Sequence, residues 1–205
     1  MEHMPLPSHP RRARARRGSG EELRAEILHA ARELLAKAPN ADSVSIRAIA
    51  QQVGVTAPSI YRHFADKDDL IAAYLETRDQ PNLALFQRWF AETEGNTADK
   101  VQGIFRNLAA SARHPKWKGC GFLRTSVELI HLPGHPAILA GRAHKKRVED
   151  WLCVVLEEIR APDEARRLAR QIVLLLDGAF AVVLLHRDTS YMDSAGEAAA
   201  QLVRG

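Results

Sequence analysis

The feature that most constrains this chain is the stretch from residue 45 to residue 67, SIRAIAQQVGVTAPSIYRHFADK. At its start, apolar residues recur at i, i+3, i+4 and i+7, which is the spacing of one helix face. They are Ile46, Ile49, Ala50 and Val53. Gly54 follows directly, at a position where helices commonly end in a left-handed conformation. The pattern predicts a short amphipathic helix, a tight glycine turn and a second short helix.

Polar residues mark where each of these helices should begin. Ser45 is predicted to cap the first helix, and Thr56 the second, which has Pro58 in its first turn. Asp66 is predicted to cap a third helix, with Lys67 in its first turn. A cation at a helix start is disfavoured by the helix dipole unless an anion such as phosphate lies nearby. The arrangement is typical of a helix-turn-helix, a shape that fits the major groove of DNA.

The remaining sequence indicates an all-α chain. Alternation of β-branched residues is nearly absent, and 205 residues make one or two small domains. We expect a basic arm over residues 1–20, a three-helix helix-turn-helix domain over 21–67 and a second helical domain over 68–205. The N-terminus has no apolar stretch of the kind found in signal peptides.

The net charge of +4 is concentrated in the arm. Residues 1–20 contain five Arg and one Glu, whereas residues 21–67 contain six basic and six acidic residues. The arm is rich in Pro, Arg, Ser and Gly, so it is expected to be disordered when free. Two interpretations stay open: a solubilising tail or expression remnant, and an arm that lies along DNA phosphates or enters a minor groove.

Several elements of the motif resemble the TetR family of bacterial transcription regulators. They are the Ile-Ala-x-x-Val-Gly-Val segment at 49–55, the Tyr-Arg-His-Phe segment at 61–64, and Lys67 followed by Leu70. The resemblance covers roughly residues 23–75. It implies an all-α fold with an N-terminal helix-turn-helix domain and a C-terminal domain for ligand binding and dimerisation.

The resemblance also implies a set of DNA contacts. Thr56, Tyr61, His63 and Lys67 would hold phosphates. Ala57, Pro58, Ser59 and Arg62 would approach bases. Arg47, at the start of the first helix of the motif, would reach a guanine, the commonest specific partner of Arg in a major groove. The outer face of the second helix is small and rather apolar, so the operator sequence cannot be derived from it.

The C-terminal half is predicted to contain further helices. Their approximate ranges are 66–94, 97–113, 122–132, 136–159, 163–187 and 193–204. Pro81 is expected to kink the first of these or to split it in two. The apolar run from Ile172 to Leu185 is too short to span a bilayer and contains Asp177.

That apolar run predicts a homodimer. A helix that is apolar on every side must be buried on every side, and the core of one small chain covers only one face. A partner subunit is the expected cover for the other. Helices 163–187 and 193–204 together resemble the two-helix contribution to a four-helix interface by which the TetR family dimerises.

No catalytic, metal or cofactor site is predicted. His131 and His135 are four residues apart, but Pro133 and Gly134 separate them, so they do not share a helix face. Neither a nucleophile with a neighbouring base nor a glycine-rich phosphate loop is visible. Cys120 and Cys153 are expected to be reduced thiols of a cytoplasmic protein.

An effector cavity is predicted in the C-terminal half, because aromatic residues and histidines cluster on the helices that precede the dimer helix. Its expected lining is Trp89, Phe90, Phe122, His131, His144, Trp151 and Asp177. Each aromatic residue taken singly is also compatible with plain core. Asp177 has two interpretations, a partner for an Arg or a helix-end amide, or a polar anchor for the effector.

These observations favour a dimeric regulator, most simply a repressor that binds a palindromic double-stranded operator and is released by a small hydrophobic effector. One alternative is a helical small-molecule-binding protein or enzyme that carries a degenerate helix-turn-helix. The full set of phosphate-contact residues argues against degeneracy. Another alternative is an architectural DNA-binding protein without a ligand, which the aromatic-rich C-terminal half disfavours.

Overall fold

The computed structural model describes residues 20–38, 40–41 and 43–205. Over these residues the fold is all-α, as the sequence predicts. The helices are α1 (Gly20–Lys37), α2 (Ile46–Val53), α3 (Ala57–Tyr61), α4 (Lys67–Glu92), α5 (Thr97–Ala112), α6 (Gly121–Glu128), α7 (Pro136–Leu156), α8 (Pro162–His186) and α9 (Ser190–Arg204). The predicted basic arm lies outside the described residues except for Gly20, where α1 begins.

The first three helices and the start of α4 enclose a core of their own. Its buried side chains include Ile27, Ile49, Ile60, Phe64 and Leu70. Ile60 and Phe64, which are four residues apart, both face inward. Polar contacts close the unit at its surface, since the Gln52 amide donates to Glu33 and the Arg24 guanidinium lies 4.9 Å from the centre of the Phe64 ring. The helix-turn-helix, formed by α2 and α3, is therefore part of a packed three-helix unit.

Helix α4 runs unbroken past a proline. The sequence predicts that Pro81 kinks or splits this segment, and the splitting is wrong, because one helix extends from Lys67 to Glu92. An internal proline costs about 3 kcal/mol through its missing donor and its ring clash. Leu75, on one side of Pro81, and Leu83 and Phe86, on the other, are buried, and this burial offsets the cost.

The same helix contributes to three hydrophobic clusters, one of which contains Ile71 and Leu75. Leu70 and Ala73 pack in the N-terminal core, whereas Leu83 and Phe86 pack among the helices of the C-terminal half. The helix-turn-helix is consequently joined to the rest of the protein by a continuous helix rather than by a loop.

The C-terminal core lies between α4, α5, α7, α8 and α9. Its largest fully buried side chains include Phe105, Leu152, Leu156 and Ile172. Helices α5 and α9 approach closely at Gly196, where an added Cβ would lie 2.7 Å from the Cβ of Phe105. Only glycine fits that contact without displacing the neighbouring helix.

Several helix ends differ from the predicted ranges. Helix α6 ends at Glu128 rather than near residue 132, because the backbone of residues 129–135 folds into successive tight turns ahead of α7. Helix α9 begins three residues earlier than predicted, where the Asp188 side chain accepts a hydrogen bond from the Ser190 amide. These differences arise from local turn and capping contacts and leave the order of helices unchanged.

One face of α8 is apolar and uncovered in the single chain. Leu174 and Leu185 are 67% and 79% exposed, while Ile172, Leu176 and Phe180 on the same helix are buried. By length and composition alone, with a mean hydropathy of 2.0 over its most apolar stretch, this 25-residue helix could cross a membrane. The core helices of water-soluble proteins satisfy the same criterion.

Candidate functional site

The turn of the helix-turn-helix has the geometry that its sequence predicts. The Ser45 hydroxyl accepts a hydrogen bond from the Ala48 amide and caps α2. Gly54 ends α2 in the left-handed region, at φ 76° and ψ 29°. The Asp66 carboxylate accepts from the Asp69 amide, 2.8 Å away, and caps α4. The path of the backbone through the motif is thus fixed by residues local to it.

Thr56 precedes α3, but its side chain does not cap the helix, so that part of the prediction is wrong. Its hydroxyl lies 3.0 Å from the Ser59 hydroxyl, and the Arg62 guanidinium donates to the same Ser59 oxygen at 3.2 Å. A hydroxyl one helical turn away competes for the Thr56 oxygen. The result is a polar row of three side chains along α3 with many hydrogen-bond donors.

The predicted DNA contacts all lie on residues that are not buried. Arg47, Thr56, Pro58, Tyr61 and Arg62 are exposed, and Ala57, Ser59, His63 and Lys67 are half-buried. Tyr61 is 53% exposed although its neighbour Ile60 is fully buried, so the tyrosine ring is presented to solvent by the packing of α3. Hydroxyl, guanidinium and ammonium groups on one exposed motif provide donors for phosphate oxygens and base edges.

A cavity of about 420 Å³ lies between the N-terminal unit and the C-terminal helices. That volume is typical of a small-molecule site. Among the residues predicted for an effector, Trp89, Phe122 and His144 line it. Phe90, His131, Trp151 and Asp177 do not, and Phe90 instead packs edge-on against Trp151 at 5.7 Å. His131 is exposed in the turns after α6.

Asp177 is paired rather than aimed at the cavity. Its carboxylate is half-buried on α8 and accepts a hydrogen bond from the Lys145 ammonium on α7. Of the two interpretations of this residue, the geometry agrees with the ion-pair partner, although the partner is a lysine rather than an arginine. Lys145 itself lines the cavity.

A buried cluster at the wall of the cavity joins His144 to two residues that the sequence did not predict, Asp79 and Arg147. The Asp79 carboxylate of α4 lies 2.7 Å from Nδ1 of His144 and 2.5 Å from Nε of Arg147, both on α7. Asp79 and His144 are almost completely buried. A signal was present, because Asp79 continues the apolar stripe of Ile71 and Leu75 at intervals of four, where an acid must find a partner.

The protonation state of His144 follows from this environment. Burial lowers the pKa of the imidazole, and this effect outweighs the hydrogen bond with Asp79, which acts in the opposite direction. The ring is therefore neutral near pH 7. Because an ionised carboxylate only accepts hydrogen bonds, Nδ1 carries the proton and donates a hydrogen bond to Asp79. The other ring nitrogen, Nε2, is a hydrogen-bond acceptor. The ring is stacked on Phe122 at a centroid distance of 3.9 Å.

Within the described ranges, three or more His, Cys, Asp or Glu side chains do not converge anywhere as a metal site would require. Cys120 lines the cavity and Cys153 lies on α7, and both are free thiols. The exposed motif and the cavity are two features of the described chain with the geometry of binding sites.

Comparisons with known proteins agree with this geometry. Residues 27–74 match the family model for bacterial regulatory proteins, tetR family. The HTH-type transcriptional regulator YjdC of Escherichia coli is 23% identical over 163 residues, 79% of this chain and 84% of its own. The nucleoid occlusion factor SlmA of Vibrio vulnificus is 31% identical over 93 residues, 45% of this chain and 47% of its own.

Solved structures extend the similarity beyond the motif. A TetR-family transcriptional regulator from Streptomyces coelicolor superposes with a TM-score of 0.73 and 29% identity, over 90% of this chain and 95% of its own. A putative regulator of the same family from Streptomyces avermitilis gives 0.71 and 25%, over 86% and 97%. These proteins are regulators rather than enzymes. With its helix-turn-helix inside the matched residues and its remaining helices arranged as in those regulators, this chain belongs to the TetR family and is a DNA-binding transcription regulator.

Proposed function

We propose that the protein is a repressor that binds an inverted-repeat operator as a homodimer and releases it when a small organic effector binds. The observation that carries the proposal is that α4 both begins in the helix-turn-helix and lines the cavity, through Tyr74, Arg78 and Trp89 among others. A ligand that prefers one tilt of α4 therefore also prefers one position of the DNA-binding unit. Differential affinity of this kind is what moves a binding equilibrium.

The uncovered face of α8 supports the dimer. Leu174, Gly178 and Leu185 lie on one exposed side of that helix, and Tyr191 and Leu202 are exposed on α9. Contiguous exposed apolar surface on a water-soluble protein marks an interaction site. Two copies of the α8–α9 pair would form a four-helix interface and bury this face. The same burial accounts for the apolar character of α8 in a cytoplasmic protein.

The exposed residues of the motif support the proposed DNA contacts. In this proposal Thr56, Tyr61, His63 and Lys67 hold phosphates, and Ala57, Pro58, Ser59 and Arg62 face bases together with Arg47. The hydrogen bonds among Thr56, Ser59 and Arg62 hold these side chains in one row. A row that is already ordered loses less entropy on binding DNA.

The proposal is tested by selecting duplexes from a random library with the purified full chain. We expect an inverted repeat whose half-sites are centred about one helical turn of DNA apart, the spacing that a two-fold dimer imposes. The logarithm of the binding constant should fall steeply and linearly with the logarithm of the salt concentration, because each neutralised phosphate releases a counterion. Recovery of single half-sites only, or a salt-independent affinity, would contradict the proposal.

Replacing Arg47 by alanine should weaken binding to the selected operator and relax its sequence preference at one base pair by about 1–3 kcal/mol, the value of a good Arg–guanine contact. The matched control is Arg106→Ala, which removes an equally charged, exposed side chain from α5. Fluorescence anisotropy on the operator and on its single-base variants measures both effects. Equal losses for the two variants would show that only net charge matters and that Arg47 reads no base.

A further inference from the structure

The cavity has a strong excess of positive charge. Its charged lining consists of Arg78, Lys116, Lys118, Arg124, Lys145 and Glu128, which is five cations against one carboxylate. Among the described residues, Lys145 alone of these cations has a close acidic partner outside the lining, Asp177. A purely apolar effector would form no favourable interaction with these charges. It would also remove water from them, which costs free energy that no new hydrogen bond or ion pair would offset.

Arg78 is a half-buried cation of the lining without a carboxylate partner among the described residues. This half-buried residue of α4 donates to the neutral amide oxygen of Asn82 at 3.5 Å, and among the described residues no carboxylate lies within ion-pairing distance of it. By contrast, Arg124 lies 4.0 Å from Glu128. Lys118 donates to the backbone carbonyl of Ala38 at 3.2 Å, which leaves its charge also unmatched.

The remainder of the lining is suited to a ring or chain. Phe86, Trp89, Trp117, Phe122 and Phe180 contribute aromatic surface. Among them lies His144, which is 2% exposed and whose Nε2 has no hydrogen-bond partner among the described residues. As an acceptor without a partner, Nε2 can accept a hydrogen bond from an N–H or O–H group of a ligand.

We infer that the cavity binds an amphipathic organic anion, whose acidic group pairs with Arg78, whose ring or chain lies on the aromatic wall and whose donor group reaches Nε2 of His144. The inference names the chemical class of the effector and rests on the proposed release of DNA by an effector. It also replaces the sequence-based expectation of a small hydrophobic effector by that of a hydrophobic molecule with an acidic group. Arg78 lies next to Asp79 in α4, so an anion bound there contacts the helix that begins in the helix-turn-helix.

The test compares two fluorescent probes with the same ring skeleton and the same bridging N–H. Anilinonaphthalene sulfonate is an anion, and phenylnaphthylamine lacks the sulfonate and is neutral. The full-length wild-type protein should bind the sulfonate at least about tenfold more tightly, because a charge-assisted hydrogen bond adds about that much. Equal affinities, or tighter binding of the neutral probe, would overturn the inference.

Arg78→Gln should lower the affinity for the sulfonate about tenfold and leave the affinity for phenylnaphthylamine unchanged. The matched control is Arg88→Gln on the same helix, since Arg88 is exposed, pairs with Glu92 and does not line the cavity. Lys118→Gln is a second variant, expected to have a smaller effect of the same sign, and it keeps the test decisive if Arg78→Gln does not fold. A loss of sulfonate binding that is equal in the Arg78 and Arg88 variants would place the probe elsewhere and contradict the inference.

Adding each probe to the protein–operator complex separates this inference from the proposed function. Selective sulfonate binding without any selected operator would leave the anion site in place and contradict the repressor. A selected operator together with indifferent probe binding would leave the repressor in place and contradict the anion site. Release of DNA by the sulfonate at concentrations where phenylnaphthylamine has no effect is the result expected if both are correct.

Discussion

Replacing Asp79 by alanine should lower the free energy of unfolding by about 3 kcal/mol, because it removes the carboxylate that pairs with Arg147 and that accepts the hydrogen bond of the buried, neutral His144 ring. The variant leaves Nδ1 of His144 without its acceptor in a fully packed position between α4 and α7. Arg147 is 41% exposed and can regain water, so the expected loss is at the lower end of the range for such pairs. Urea unfolding followed by far-UV circular dichroism, at one fixed protein concentration, measures the change.

Glu76→Ala is the matched control for Asp79→Ala. Glu76 is an acid on the same helix, about one turn earlier, and it is exposed. Its replacement should change the unfolding free energy by no more than about 0.5 kcal/mol, as is usual for surface positions. Similar small losses in both variants would mean that the Asp79 cluster contributes little to stability and that packing alone holds α4 against α7.

If the proposed dimer forms through α8, replacing Leu174 by glutamate should convert it to a monomer. Affinity for the proposed inverted repeat should then fall by about 100-fold or more, since binding of the second half-site would no longer be intramolecular. The new carboxylate would have to be buried unpaired in the interface, which is costly. Analytical ultracentrifugation measures the association state, and anisotropy on the operator measures the affinity.

Val127→Glu is the control for Leu174→Glu, because Val127 on α6 is 62% exposed, close to the 67% of Leu174, and lies on neither α8 nor α9. It should remain dimeric and bind DNA as the wild type does. A Leu174→Glu protein that stays dimeric, with unchanged affinity, would place the interface on another surface.

The parts of the site that the sequence predicts are those fixed by neighbours in the chain. Ser45, Gly54 and Asp66 act on backbone groups within three or four residues, so their roles follow from spacing alone. Even so, Thr56 was misjudged as a cap because the competing Ser59 hydroxyl is equally local. A backbone amide and a hydroxyl at similar distance are both good donors to the Thr56 oxygen, and spacing alone does not rank them.

The parts that were not predicted depend on residues far apart in sequence. Asp79 and His144 are separated by 65 positions, and Lys118 donates to a carbonyl 80 positions away. The charge of the cavity therefore could not be predicted from the order of residues in the sequence, because its cations come from α4, α6, α7 and the loop before α6. Whether Pro81 splits α4 was left open for a related reason, since the burial that sustains the unbroken helix involves distant helices.

The unbroken course of α4 also determines how far the proposed effector would move the helix-turn-helix. Arg78 lies 11 residues after Lys67 in that helix, a separation of about 16 Å at about 1.5 Å per residue. If the helix pivots rigidly near the cavity, a rotation of about 5° displaces its first turn by about 1.4 Å, estimated from that length. In a two-fold dimer the two displacements add to about 3 Å. Successive major grooves are about 34 Å apart, so the two helix-turn-helix units would be out of register with them by about a tenth of a turn. A flexible joint would absorb such a rotation, whereas a stiff rod converts it into a mismatch with the pitch of the double helix.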